Sequence, residues 1–326
     1  MMQIAHRMRK IKTNEQMNQT RRKFLQHTAV ATAASFLAPI QNVSANAVEK
    51  IKAKLGYELL FMQTDWGFAG TRDEFCAAVK KEGYEGIEVW WPGDAKAVKE
   101  LFDAVKKHDL QIGFLCAGSQ VNSDDHFALF KKSLDAICAN TYQKPVYVNC
   151  HSGKDYFTYE QNKQFIDYTT AKTKSTGIPI YHETHRGRML FAAHITHNFA
   201  EKNPELRLTL DISHWCTVHE SLLNDQKETI DYLLKRVDHI HSRIGHQEGP
   251  QVNDPRAPEW ENTVKAHLTW WDKVIAYKKE KGERMTILTE FGPPDYMPTL
   301  PYTRQPLANQ WAINVYMMHL LRKRYQ

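Results

Sequence analysis

Ile178-Pro-Ile-Tyr-His-Glu-Thr-His-Arg-Gly-Arg188 begins apolar and ends charged. The first three residues read as a short buried strand. The next eight place one carboxylate, two imidazoles and two guanidiniums where that strand opens into a loop. A helix from Met189 to Lys202 and another apolar run, Leu206 to Leu210, follow. Glu183 is the natural candidate here for a metal ligand or catalytic base. The plainer alternative is an ion pair with Arg186 or Arg188 at a polar strand end. This stretch alone does not choose between them.

The same strand–loop–helix unit recurs on both sides. Before it come apolar strands at Tyr57–Gln63, Gly86–Trp91, Leu110–Cys116 and Lys144–Cys150. Helices follow them at Thr71–Glu82, Asp94–Lys107, Asp124–Ala139 and Tyr159–Lys174. Thr71-Arg-Asp-Glu74 has the form of a capping box. After it come strands at His239–Ile244 and Met285–Leu288, and helices at Gln226–Arg236, Asn262–Lys281 and Gln305–Arg324. Short, nearly continuous apolar strands alternating with helices predict a parallel sheet buried on both faces. Eight such units in residues 48–326 fit the roughly 250 residues of a closed barrel. The fold class is therefore α/β, a single (β/α)8 TIM barrel. No Gly-x-Gly-x-x-Gly follows the first strand, which weakens the nucleotide-binding alternative. The loop His246–Glu259 is long and rich in Gly, Pro and Asp, the pattern of a lid.

Residues 1–47 are set apart from the fold. Thr20-Arg-Arg-Lys-Phe-Leu-Gln26 matches a twin-arginine export signal, a mildly apolar segment runs from Thr28 to Ile40, and Ala45-Asn-Ala47 is a small-residue cleavage pattern. The apolar segment is too short to span a bilayer. The expected location is the periplasm or another exported compartment. The chain has 43 Lys+Arg and 37 Asp+Glu, formally +6. The excess lies in the leader, which carries seven basic residues and one acidic residue. Residues 48–326 are formally neutral, so the charge gives no reason to expect a nucleic-acid partner. Cys76, Cys116, Cys138, Cys150 and Cys216 are scattered, with no CxxC pair, and predict neither a disulfide framework nor a thiolate metal site.

In a barrel of this kind functional groups gather at the carboxyl ends of the strands. Four consecutive strands end near Glu183, Asp211, His241 and Glu290. Three carboxylates converging in a partly dry cleft repel one another, and their pKa values rise unless a cation joins them. One imidazole with three carboxylates is an oxygen-rich set that suits one divalent ion, Mn²⁺ first, with Mg²⁺, Co²⁺ or Zn²⁺ tolerated. Each residue also has a plainer reading. Asp211 can cap the next turn, and Glu290 can be one half of an ion pair at the rim. Of His239 and His241 only one is expected to face the barrel axis, and His241, nearer the strand end, is taken. His214, His185, Arg188 and His151 are candidates for substrate contact. Of Trp90 and Trp91 one is expected in the core, and Trp91 is taken as the candidate for a stacking contact with substrate. His182, on the opposite side of its strand from Glu183, is read as structural.

These motifs, HETHRGR around Glu183, LDISHW around Asp211 and His214, HIHSRIG around His241 and TEFGPP around Glu290, resemble the xylose-isomerase-like TIM-barrel superfamily, the sugar isomerases and epimerases with an AP-endonuclease-type barrel. The resemblance covers all of residues 48–326. It implies one divalent metal held by Glu183, Asp211, His241 and Glu290. It also implies that Glu183 and Glu290 are the catalytic proton carriers on opposite faces of the sugar, and that His214 contacts substrate hydroxyls. The implied reaction is proton abstraction next to a carbonyl through a metal-stabilised enediolate. One departure stands out. Epimerases of the group carry an arginine shortly after the strand-seven motif, whereas here Arg243 comes only two residues after His241. Substrate identity does not transfer.

The expected partner is thus a small sugar or glycoside, with no nucleic acid and no membrane span. The oligomeric state is left open, a homo-oligomer included. Three other readings remain: a metal-dependent lyase or hydrolase cleaving 3-keto-glycosides by β-elimination in the same site, an AP endonuclease, and a non-catalytic sugar-binding barrel.

Overall fold

The computed structural model describes residues 56–326. The leader expected at 1–47 lies outside the described residues. Eight parallel strands close into a barrel in chain order. They are β1 (Leu59–Thr64), β2 (Gly86–Trp90), β3 (Gln111–Ala117), β4 (Val148–His151), β5 (Ile180–Glu183), β6 (Leu208–Leu210), β7 (Val237–His241) and β8 (Met285–Thr289). Closure is made by β1 against β8, in register from Leu59 opposite Met285 to Gln63 opposite Thr289.

The outer helices are α1 (Arg72–Glu82), α2 (Ala95–Lys107), α3 (Ser123–Ala139), α4 (Tyr159–Thr176), α5 (Ala193–Lys202), α6 (Ile212–Val218), α7 (Lys227–Leu234), α8 (Glu261–Lys281) and α9 (Gln310–Tyr325). Local sequence sets their ends. The capping box on α1 is present, with Thr71 and Glu74 satisfying each other's backbone N–H. Thr158 and Gln161 do the same for α4. Strict alternation is broken once, by α6. Its N-cap is Asp211, whose carboxylate accepts from Ser213 N.

Alternation along each strand divides the side chains cleanly. Ile87, Val89, Ile112, Phe114, Val148, Cys150, Ile240 and Ile287 face outward into one continuous core under the helices. Leu60, Met62, Tyr147 and Leu288 form a small apolar plug inside the barrel. The plug is tight. A Cβ at Gly113 would lie 2.5 Å from the Tyr147 ring, so only glycine fits beside it. Further toward the carboxyl ends the interior turns polar, with Glu88, Asn149, Glu183, His239 and His241 all buried. This change, from an apolar plug to a polar upper layer, places the chemistry at one end of the barrel.

The long loop after β7 is tied down rather than hanging free as a lid. The Gln251 amide accepts from Gly292 N at 2.7 Å and donates to Gly292 O at 3.2 Å. The Trp260 indole N–H donates to the Asn253 side chain at 2.7 Å. Among the described residues no helix is long and apolar enough to cross a membrane.

Candidate active site

Glu183 is the last residue of β5 and His241 the last of β7. Asp211 and Glu290 each follow the last residue of their strand. All four are buried. One ligand atom from each of Glu183, Asp211 and His241 lies within 4.8 Å of the other two. Glu290 approaches the same imidazole, its Oε2 2.7 Å from His241 Nδ1. Glu183 Oε2 lies 3.7 Å from that nitrogen.

Glu183 is not half of an ion pair with its neighbouring arginines. Its Oε2 accepts from Asn149 Nδ2 at 2.7 Å and pairs with His151 Nε2 at 2.7 Å. Its Oε1 is buried without any hydrogen-bond partner. Burial alone would raise its pKa; the charges of His151 and His241 outweigh that and hold it well below the usual carboxylate range. Asp211 is pushed up to about 6, first by burial, with Arg243 opposing and Glu290 and Glu183 adding repulsion. His241 is driven the other way. Burial favours its neutral form, but Glu290, Glu183 and Glu88 together raise its pKa well above 6.5.

Two residues to which the sequence reading gave no role in the site complete the arrangement. Glu88, on β2, is fully buried between two imidazoles, with Oε2 3.0 Å from His239 Nε2 and Oε1 3.2 Å from His241 Nε2. The second contact is an ion-pair approach rather than an aligned hydrogen bond. Asn149 Nδ2 also lies 3.1 Å from His241 Nε2, so that side of the ring is held by Glu88 and Asn149 together and Nδ1 faces Glu183 and Glu290. A glutamate inside the apolar run Gly86-Ile-Glu-Val-Trp90 was the available signal. The other is Arg243. Its guanidinium donates to Asp211 Oδ2, lies 3.3 Å from Glu290 Oε2, and stacks over the Tyr296 ring at 4.7 Å.

Two expectations are corrected. His239 and His241 both point into the barrel, because residues two apart in a strand share a face, and it is Ile240 that points outward. Trp91 does not reach the cleft. It packs edge-on against Phe102 and Phe114 in the outer core. Trp90, which shares the inward face with Glu88, is 47% exposed and lines the cavity.

That cavity, about 270 Å³, opens above the buried carboxylates. His151, His185 and Arg188 line one part of its wall; Trp66, Trp90 and Tyr296 line another, with Arg243 and Glu290 reaching it as well. His214 lies deeper, fully buried, its ring 3.9 Å from that of His185 and its Nε2 3.1 Å from Arg243 Nη2. Burial keeps both imidazoles neutral, moving His185 down to about 3 and His214 well below 6.5. His182 faces outward, held between Ser152 Oγ at 2.7 Å and Thr169 Oγ1 at 2.8 Å.

Four buried carboxylates, Glu88, Glu183, Asp211 and Glu290, thus face one guanidinium and one imidazole whose pKa is raised. With Glu183 Oε1 unpartnered, this donor set fits a divalent cation of the oxygen-preferring kind.

No family model matches the chain, and no curated protein does. Solved structures do. The 3-keto-D-glucoside 4-epimerase from E. coli is 11% identical over 82% of this chain and 100% of its own, with a TM-score of 0.56. The shared fold is a closed (β/α)8 barrel. A xylose-isomerase-like barrel from Mycobacterium smegmatis, solved in complex with magnesium, is 12% identical over 82% of this chain and 98% of its own, TM-score 0.54. The D-allulose 3-epimerase from Methylomonas sp., solved with D-allulose, is 13% identical over 82% and 97%, TM-score 0.52. At these identities the shared property is the barrel fold itself.

Proposed function

We propose that this protein is a metal-dependent sugar isomerase or epimerase, working by proton transfer at a carbon next to a carbonyl. The observation that supports this reading best is the buried convergence of Glu183, Asp211 and His241, with Glu290 on the same imidazole and Glu183 Oε1 left without a partner. These four residues would hold the ion, Mn²⁺ by preference. When bound, such an ion supplies Lewis acidity, which makes the neighbouring C–H easier to deprotonate.

The chain's own residues do the rest. Glu183 is kept ionised, and Asn149 and His151 orient its carboxylate as the first proton carrier. Glu290 lies beside His241 and Arg243 and is the second proton carrier. The neutral rings of His185 and His214 offer hydrogen bonds to sugar hydroxyls without adding charge, and His151 lines the cavity beside them. Trp90 offers a stacking face at the mouth.

A panel of ketoses and aldoses, assayed with Mn²⁺ and with a chelator, tests this. Turnover that needs Mn²⁺ and falls by about 10²–10⁴ in Glu183→Gln and in Glu290→Gln is expected. Turnover indifferent to both substitutions would sink the assignment. The same residues would also serve β-elimination on a 3-keto-glycoside, with the partly exposed Trp66 and Trp90 offering apolar faces to a second ring; following products by NMR separates the two reactions. The twin-arginine pattern in the leader supports export of the folded, metal-loaded enzyme, which cell fractionation tests.

A further inference from the structure

Two arginines line the same cavity, and their charges are treated in opposite ways. Arg243 is neutralised by both Asp211 and Glu290. Arg188 is not neutralised at all. Among the described residues its guanidinium makes no hydrogen bond and has no carboxylate within ion-pair distance, and its Nη1 is buried without a partner. Glu183 and Asp155 act on it only at longer range, and Glu183 Oε2 is already taken by Asn149 and His151. Burial pushes the Arg188 guanidinium below its usual value. Its loop neighbour Arg186 also lacks a carboxylate and lies over the Tyr296 ring at 5.2 Å.

An unpaired, half-buried guanidinium costs free energy that an anion offsets more fully than neutral hydroxyls do, because a charge-assisted hydrogen bond is the stronger one. We infer that the substrate carries a carboxylate, and that Arg188 binds it as the specificity-determining residue of the cleft. The substrate class is then a sugar acid of the uronate type rather than a neutral sugar. The planar fork of a guanidinium matches a carboxylate with two parallel hydrogen bonds. A phosphate ester would call for further donors, such as a helix N-terminus or a second free cation facing the group. Here the second loop arginine is laid over Tyr296 instead. This inference rests on the proposed sugar chemistry of the same site.

The experiment is calorimetric binding of matched pairs to the intact protein with Mn²⁺. The probes are D-glucuronate against D-glucose, D-galacturonate against D-galactose, and glucose 6-phosphate. In the wild type the acids are expected to bind about 10–100-fold more tightly than their neutral partners, the range of one charge-assisted contact. Arg188→Met should abolish that ratio and Arg188→Lys should restore part of it. Melting temperatures without ligand check that both variants fold. A purely structural role for Arg188 would weaken acid and neutral sugar alike, and that result overturns the inference. So does a wild type that binds glucose as tightly as glucuronate, or binds no acid, or prefers the phosphate. If an acid binds through Arg188 but no proton transfer occurs on any sugar, the isomerase reading fails and this one stands. If neutral sugars turn over regardless of Arg188, the reverse holds.

Discussion

Glu88 sits between His239 and His241 in the barrel interior, fully buried, with one carboxylate oxygen for each imidazole. Replacing it by glutamine keeps the volume and removes the charge. The new amide has one acceptor and one donor where the carboxylate had two acceptors. His239 can adapt, because its Nδ1 faces both Thr286 O and Thr286 Oγ1 and so can either donate or accept. His241 has no such freedom if its Nδ1 is to face Glu183 and Glu290. The Glu88→Gln protein should therefore fold, with His241 losing the carboxylate that orients it. Loss of such a partner behind a metal-ligating histidine typically weakens metal binding about 10–100-fold, or roughly 1.4–2.7 kcal/mol. Glu88→Ala is harsher: it leaves the buried Nε2 of His239 unpaired, at about 1–3 kcal/mol, leaves His241 Nε2 with Asn149 alone, and opens a cavity. The assay is titration of the chelator-stripped protein with Mn²⁺, read by calorimetry, with chemical denaturation of the metal-free protein alongside. Mn²⁺ affinity within about threefold of wild type in a folded Glu88→Gln protein would refute the orienting role of Glu88.

Arg243 neutralises Asp211 and Glu290, so Arg243→Met should destabilise the metal-free protein by about 3–5 kcal/mol, the cost of stranding buried charges; added Mn²⁺ should raise its melting temperature by more than it raises that of the wild type, and an equal rise would count against a shared site. His267 accepts from Gly245 N through Nε2 and faces Thr263 O through Nδ1, and burial moves its pKa down to about 4. The unfolded chain binds that proton from about pH 6.5 downward while the folded chain stays neutral, so this contribution is full above pH 6.5 and is lost as pH falls toward 4. His267→Gln should flatten the pH dependence of stability in that window by about 1.4 kcal/mol per pH unit, measured by urea denaturation; an unchanged slope would show that His267 is not held neutral. Gln251→Ala removes both amide bonds to Gly292, and hydrogen exchange should then rise in residues 246–257 and around Gly292, whereas exchange confined to the substitution site would show that the clasp does not hold the loop.

Fold and site were legible to different depths, and one rule explains most of the gap. The barrel could be read because each unit repeats the same contrast, an apolar strand of a few residues and then a helix with its own caps, such as Thr71 with Glu74. Eight repetitions correct for uncertainty at any one boundary; β4 begins at Val148 rather than Lys144 without changing the count. Helix α6 escaped because it is short and its N-cap is Asp211, a residue already read as a site candidate; the carboxylate caps the helix with Oδ1 on Ser213 N and turns Oδ2 toward Arg243. Inside the barrel the informative signal was the strand period of two, and it was applied unevenly. It placed His182 outward and Glu183 inward correctly. Applied to β7 it puts His239, His241 and then Arg243 on one face, which is how the structure has them. Applied to β2 it puts Glu88 and Trp90 inward and Trp91 outward, which yields the partner of His241 and the aromatic at the cleft in one step. What the period could not yield is pairing across the barrel. That Arg243 would be neutralised by Asp211 and Glu290 while Arg188 would not depends on which strands stand opposite and how far each side chain reaches, and only the closed barrel sets those distances.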